Sequence, residues 1–490
     1  MALAIEDRRS PREAQSHVPV TSLLARFAAE TDYRAIPESV VAHTKLAILD
    51  TLGVALAGGS IGEGCEGVMA YAAALADRGA ARIWVSGQRT SGGLAAFCNA
   101  SHVRCLDYDD IIENPQIHVA ACVIPAAFAT AESLAAPVSG TRLLAAVIAG
   151  SEIQSRLAAS IARTQDASSF PVMLPSQIFG YFAAAVTAGH LLGLDARRME
   201  SAIGLAMMQA AGTEEMVVHS PESVGKCIYA GFSNQGGIQS ALMAAHGVSA
   251  PGAAFEGQAG LFNAFYGGRF DPGALIGELS ERYLATERCF KASPGTLVSH
   301  AFAEAALIIM RDAALRPEDI RDITLRVGGW GRAMCEPIDA RRDPPTAAAA
   351  MNSIPFIVAK AIVNGKVMLT DFQASGREQA ASRAMAQRIG YVHDSGLDNP
   401  RGLEPGLIDM VTVDGHAFAQ RVDKPRGHMS RPMSFDDMAA KFRDNAEYAA
   451  LQPDRIEQVI ACVDTLDRSP DVRSLLDLIA PAVPQQEDCA

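Results

Sequence analysis

Between residues 20 and about 270 the chain offers one alanine-rich helical segment after another and almost nothing that reads as a strand. The clearest is VVAHTKLAILDTLGVALAGG, opened by Pro37-Glu38-Ser39, in which Val41, Ile48, Leu52 and Leu56 recur at helical spacing until Gly58-Gly59 stops it. TSLLARFAAET precedes it, and VMAYAAALADRG, GGLAAFCNASHVRCLDY, VIPAAFATAESL, TRLLAAVIAGSEIQSRLAASIA, FGYFAAAVTAGHLLGL, ESAIGLAMMQAAG and FSNQGGIQSALMAAHG follow. Only RIWVSG, around Trp84, suggests a short extended piece. With aromatics at 6% and alanine abundant, the composition suits close packing of helix on helix. No fixed period recurs, so the pattern is not that of a solenoid. At 490 residues the chain exceeds one ordinary hydrophobic core, and two or three units are expected.

The pattern changes near residue 270. DITLRVGG (322–329) alternates as a strand does, and MVTVDGHAFAQRVD (410–423) reads as two strands joined through Asp414-Gly415. Helices at VSHAFAEAALIIMRD and PFIVAKAIVNG lie among them. After Pro425 helix returns, in SFDDMAAKFRD with its Ser N-cap, PDRIEQVIACVDTLD and VRSLLDLIA. The expected fold is mainly α. Residues 1–19 form a flexible tail, 20–274 an all-helical domain, 275–428 a smaller α+β lid, and 429–485 helices that pack back on the helical domain, so that the lid is an insertion.

A net charge of −13 argues against general binding to nucleic acid or to an anionic membrane. The nine cysteines are odd in number, scattered and never spaced as CxxC, which reads as reduced thiols in a cytoplasmic protein. The eleven histidines show neither HxH nor HxxxH spacing, so no metal cluster is expected. MALAIEDRRSPREAQSHVPV lacks the order of a signal peptide, and no charge-free apolar run reaches membrane-spanning length; a soluble protein is expected.

One stretch departs from this even texture. In NASHVRCLDYDDIIENPQIHVAACVIPAAFATAE (99–132), Asp107, Asp109 and Asp110 interrupt a run of Ala, Val, Ile and Phe, and His118 opens the next apolar segment. Carboxylates seldom enter apolar surroundings unpaired, because losing their hydration costs several kcal/mol or more. Taken alone, the stretch reads as two helices meeting at a capped polar turn, with Asn114-Pro115 in the gap.

Taken together, LAILDTLGVALAGG (46–59), LDYDD with His118 and IPAAFATAE, LLGLD (191–195), QAAG (209–212), Lys226 before an NQGG helix and KASPGTLVSH (291–300) resemble the MmgE/PrpD family. Its members include 2-methylcitrate dehydratases, cis-aconitate decarboxylases and iminodisuccinate epimerases. The resemblance runs from about residue 20 to 480. It implies a helical domain with an α+β lid, a homodimer, a site in the crevice between domains, and no required metal or organic cofactor. The family's substrates are small di- or tricarboxylates that react at a carbon next to a carboxylate. Such chemistry needs cations for the gathering charge and a placed acid or base. By motif, the implied site residues are Asp107, His118, Lys226, Lys291 and His300, with Lys226 and Lys291 gripping carboxylates.

Each of these has a plainer reading. Lys226 and Lys291 would ordinarily be solvated, His118 a satisfied histidine at a helix start, and His300 a core histidine followed at helical spacing by Ala301, Phe302 and Ala305. Asp107 fits either a general base or an orienting group, and Asp50 a buried structural carboxylate. The chain also departs from the family pattern: Leu174 and Thr296 stand where histidines are usual, Ile111 where a polar residue is, and Tyr229 where histidine is frequent. His219 is a candidate substitute. The expected activity is a cofactor-independent lyase of the 2-methylcitrate dehydratase type; the alternatives are an epimerase or isomerase, then a cis-aconitate decarboxylase, or a carboxylate-binding protein without catalysis. Without histidine at 174 and 296, decarboxylation of cis-aconitate is expected to be poor.

Overall fold

The apolar run around Asp50 becomes the axis of the fold because it has no polar face to turn to solvent. A computed structural model describes residues 18–162, 173–215, 223–399 and 402–480. Helix α1 (Val20–Glu30) leads to α2 (Glu38–Ile61), in which every residue from Ala47 to Gly58 is buried. Among the described residues α2 alone is long and apolar enough to cross a membrane, yet most of it lies inside the protein, as befits a core helix. Helix α3 (Cys65–Leu75) and the two-stranded β1 (Ala81–Arg82) and β2 (Arg89–Thr90) precede α4 (Gly92–Arg104), which crosses α2 closely. At Gly58 a Cβ would lie 2.0 Å from the His102 carbonyl oxygen, so only glycine allows that approach.

Helices α5 (Ala120–Ser133), α6 (Gly140–Ala162), α7 (Pro175–Leu192), α8 (Ala196–Met207) and α9 (Tyr229–Ala245) complete this layer, with α7 packed on both α6 and α9, and α9 on α4. The C-terminal helices share the same core. Phe442, in the helix Phe435–Tyr448, packs against Gly53 of α2, and Val459, Val463, Leu475 and Leu476 join the cluster.

A second core lies under a four-stranded sheet in the order β7 (Ile389–His393), β6 (Ile320–Val327), β8 (Gly406–Thr412), β9 (Ala417–Val422). Strand β6 is parallel to β7 and antiparallel to β8. The hairpin between β8 and β9 turns at Asp414-Gly415 as anticipated, Gly415 having φ +90°. Helices Leu297–Asp312 and Ile354–Asn364 supply Phe302, Ala305, Val358 and Ile362 to this core, against Ile323, Leu325 and Ile408.

Helix α4 ends at Arg104, and Asp107 to Asp110 lie in a turn that runs into β3 (Ile111–Glu113) and β4 (Gln116–Ile117). Strand β3 also pairs with β5 (Arg288–Cys289), matching Ile111 with Cys289 and Ile112 with Arg288. The acids therefore open onto a small three-stranded sheet, not onto a second helix directly, and that sheet brings residues near 290 beside them.

Candidate functional site

The register of β3 on β5 sets the site, because it carries Lys291, two residues past Cys289, over the turn that follows α4. Lys291 Nζ donates to the Asp107 carbonyl oxygen and to its carboxylate Oδ1, both at 2.7 Å, and the lysine is 1% exposed. Asp107 has φ +46°, a left-handed conformation that aspartate tolerates better than most residues and that recurs at functional sites. From the last turn of α4 the Arg104 guanidinium reaches the Asp109 carboxylate, comes within 3.4 Å of Asp107 Oδ1, and lies 5.4 Å from the centre of the Tyr229 ring. Arginine's planar fork of donors suits this bridging of two carboxylates.

His118 is fixed from three sides. Its backbone N–H donates to Ser176 Oγ and its carbonyl accepts from Gln154, which ties it to the start of α7 and to α6. Its ring Nδ1 lies 2.8 Å from the Asp110 carbonyl oxygen, 3.1 Å from Asp109 Oδ2 and 3.0 Å from Arg104 Nη1. The Asp110 carbonyl, the nearest of these, can only accept, which assigns the proton to Nδ1 and leaves Nε2 as the unprotonated ring nitrogen. Burial, then the neighbouring Arg104, lowers the His118 pKa below the usual histidine value despite Asp109, so the ring is neutral at neutral pH.

The two adjacent aspartates are driven apart. Burial alone would raise Asp109, but Arg104 and His118 hold it at about 2. Burial raises Asp110 to about 6 against the pull of Arg288, whose Nη1 lies 3.4 Å away. Asp110 also accepts from the Ala120 N–H at the start of α5, so it serves the helix that follows and does not end α4.

Of the anticipated residues, Asp107, His118 and Lys291 converge. His300 stands on the first turn of the helix Leu297–Asp312, buried, its pKa lowered to about 3 by burial and then by Lys291. It is at once a core histidine and a neighbour of the site. Lys226 lies in the short 3-10 turn Val224–Cys227 beside α4, with its side chain outside what is described. His219 falls outside the described residues. Leu174 precedes α7, Thr296 starts the helix Leu297–Asp312, Ile111 is buried in β3, and Tyr229 is buried against Arg104.

Arg104 and Lys441 were not anticipated as site residues. Both had a visible signal: Arg104 ends α4 three residues before the first of the acids, and Lys441 shares the buried stripe of Met438, Phe442 and Asn445. A cavity of about 470 Å³ is lined by Ile112, Asn114, Ser155, Arg282 and Glu287, and among the described residues its lining includes neither His118 nor Lys291. The crowded cluster is the better candidate site, because the perturbed and mutually oriented groups are there. Among the described residues no three His, Cys, Asp or Glu side chains gather as a metal site.

The MmgE/PrpD N-terminal domain matches residues 22–272 and the MmgE/PrpD C-terminal domain residues 294–465. The chain belongs to the MmgE/PrpD family. Among its relatives are cis-aconitate decarboxylase of Mus musculus, 26% identical over 91% of this chain and 90% of that protein, and that of Homo sapiens, 26% identical over 92% of each. The cis-aconitate decarboxylase of Aspergillus terreus is 25% identical over 94% of this chain and 96% of its own length. None of these relatives is named a dehydratase, so the preference for 2-methylcitrate has no specific support from them.

Proposed function

We propose that this protein is a lyase acting on a small di- or tricarboxylate, with His118 moving a proton at the carbon next to a carboxylate. The observation that carries the reading is the fixed, neutral His118 ring beside Lys291 and Arg104. A base with its lone pair toward the substrate takes the proton, and buried cations hold the charge that gathers on the carboxylate. Lys291 is the cation we assign to that charge, with Lys226 as a second carboxylate ligand. Asp107 orients Lys291, and His300 borders the pair.

Loss of water is the reaction that a base of this kind begins, with hydroxide leaving from the neighbouring carbon. Decarboxylation is the second reading, favoured by the names of the relatives. One assay decides: the purified protein is given cis-aconitate and 2-methylcitrate in deuterium oxide, with carbon dioxide release, water loss and deuterium uptake followed together. We expect deuterium exchange and water loss with slow carbon dioxide release, since Leu174 and Thr296 supply no proton-transfer group. Brisk decarboxylation moves the second reading to first place, and an inert panel removes both.

A further inference from the structure

Asp50 and Lys441 come from elements that supply nothing else to the site, yet the pair holds both of its halves. Asp50 lies midway along α2, 2% exposed, and Lys441 lies in the helix Phe435–Tyr448, 5% exposed. The Lys441 ammonium has three N–H groups and three oxygens around it: Asp50 Oδ1 at 2.6 Å, the Tyr108 carbonyl at 2.8 Å and the Lys291 carbonyl at 2.8 Å. Its Nζ also lies 3.7 Å from the centre of the Tyr108 ring. Two donors go to the carbonyls and the ammonium pairs with Asp50, so the protein itself occupies Lys441. Burying two charges costs about as much as their attraction returns, so the location of this pair asks for an explanation more than its strength does.

We propose that Lys441, held by Asp50, is a positioning residue that fixes Lys291 against Asp107. Lys291 reaches Asp107 through its side chain, while Lys441 grips the Lys291 peptide carbonyl and the carbonyl next to Asp107. One ammonium thus holds both ends of the Lys291 to Asp107 contact. Its loss leaves two buried carbonyls without a donor and frees the turn at 105–111 to move relative to 288–294. The activity readout of this inference rests on the lyase reading above; its structural readout does not.

The test is a double-mutant cycle with hydrogen exchange alongside. Lys441→Met alone strands a buried carboxylate, so the pair is removed together as Asp50→Asn/Lys441→Met, which leaves no lone charge. Exchange of the segments 105–111 and 288–294 is expected to speed by about tenfold while that of α6 stays unchanged. Turnover of cis-aconitate or 2-methylcitrate is expected to fall about a hundredfold in kcat, with KM moved less than about threefold, when Lys291 is intact. In a Lys291→Met background the same change is expected to cost less than about threefold, because its effect runs through Lys291. Equal losses in both backgrounds, or unchanged exchange at the two segments, overturn the proposal. If the wild-type protein turns over neither acid, the lyase reading falls and exchange alone decides the brace.

Discussion

In the proposed reaction His118 and Lys291 divide the chemistry between them, so their replacements should fail differently. Replacing His118 by Gln is expected to lower kcat by about a hundredfold to ten-thousandfold, the usual cost of a lost general base, with the fold intact by circular dichroism. The pH profile follows from the direction of its shift. A histidine held below its ordinary value is already neutral at pH 7, so kcat/KM should stay flat through neutrality and fall only below the usual histidine range. A limb centred at or above pH 7 would assign the proton transfer to another group. Replacing Lys291 by Met is expected to remove roughly 3 kcal/mol of transition-state stabilisation, read as a loss in kcat/KM. Lys291 also shows where residue-level reading stops. Its Phe-Lys-Ala-Ser-Pro surroundings look like an exposed loop, and its 1% exposure follows from the pairing of Arg288 and Cys289 with the distant Ile112 and Ile111. Asp107 was recognisable as an acid in an apolar run, but its partner was recognisable only by resemblance to the family.

At the scale of elements, the long helices were legible and the short strands were not. Helix α2 declares itself by period and by its opening Pro37, although it runs through Gly58-Gly59, where the sequence suggests a stop, to Ile61; β3, β4 and β5 hold only two or three residues each and leave no alternation to read. Strand β7 was missed for a related reason: its parallel partner β6 is more than sixty residues earlier, with helices in between. Helix α4 carries a prediction of its own. His102 is buried where α4 meets α2, its Nε2 has no partner, and burial lowers its pKa to about 4. The folded protein resists protonating this ring while the unfolded chain accepts the proton near pH 6.5, so His102 removes stability as pH falls from about 6.5 to about 4. Within that window the residue contributes a slope of about 1.4 kcal/mol per pH unit. Urea unfolding of His102→Met between pH 7 and pH 4.5 should give a curve flatter than wild type by that slope. Parallel curves would mean that the ring is protonated in the folded protein.

In the molecule as a whole, the larger of the two main hydrophobic clusters of the described residues takes in Met351, Phe356 and Phe372, so the helical body and the segment that carries the sheet share apolar contacts. Polar ties add to these: besides the pairing of β3 with β5, Glu113 at the end of β3 reaches across. Its carboxylate meets His428 Nε2 at 2.7 Å, pairs with Lys424, and accepts from the Leu403 N–H, which together reach the segments flanking β8 and β9. Burial would raise the Glu113 pKa, but His428, Lys424 and Leu403 hold it at about 2. Its contribution is therefore present above the ordinary glutamate range near 4.5 and is lost as pH falls through about 2, so the tie is intact at neutral pH. We propose that the chain between about residues 275 and 428 forms a lid with a core of its own under the sheet, joined to the helical body by the apolar contacts of Met351, Phe356 and Phe372 and by this carboxylate. Removing one partner of a buried pair costs about 3 to 5 kcal/mol; with Lys424 30% exposed, about 2 kcal/mol is the fitting figure for Glu113→Gln. That loss falls on the junction and spares both cores, Ile323 and Leu325 on one side and Leu49 and Leu52 on the other. Scanning calorimetry should accordingly show one transition in the wild-type protein and two in Glu113→Gln, the earlier belonging to the unit with the smaller core. A single transition shifted down by a few degrees would mean that β3 on β5 and the Lys291 contacts suffice to couple the cores, and that the lid is not a separate unit.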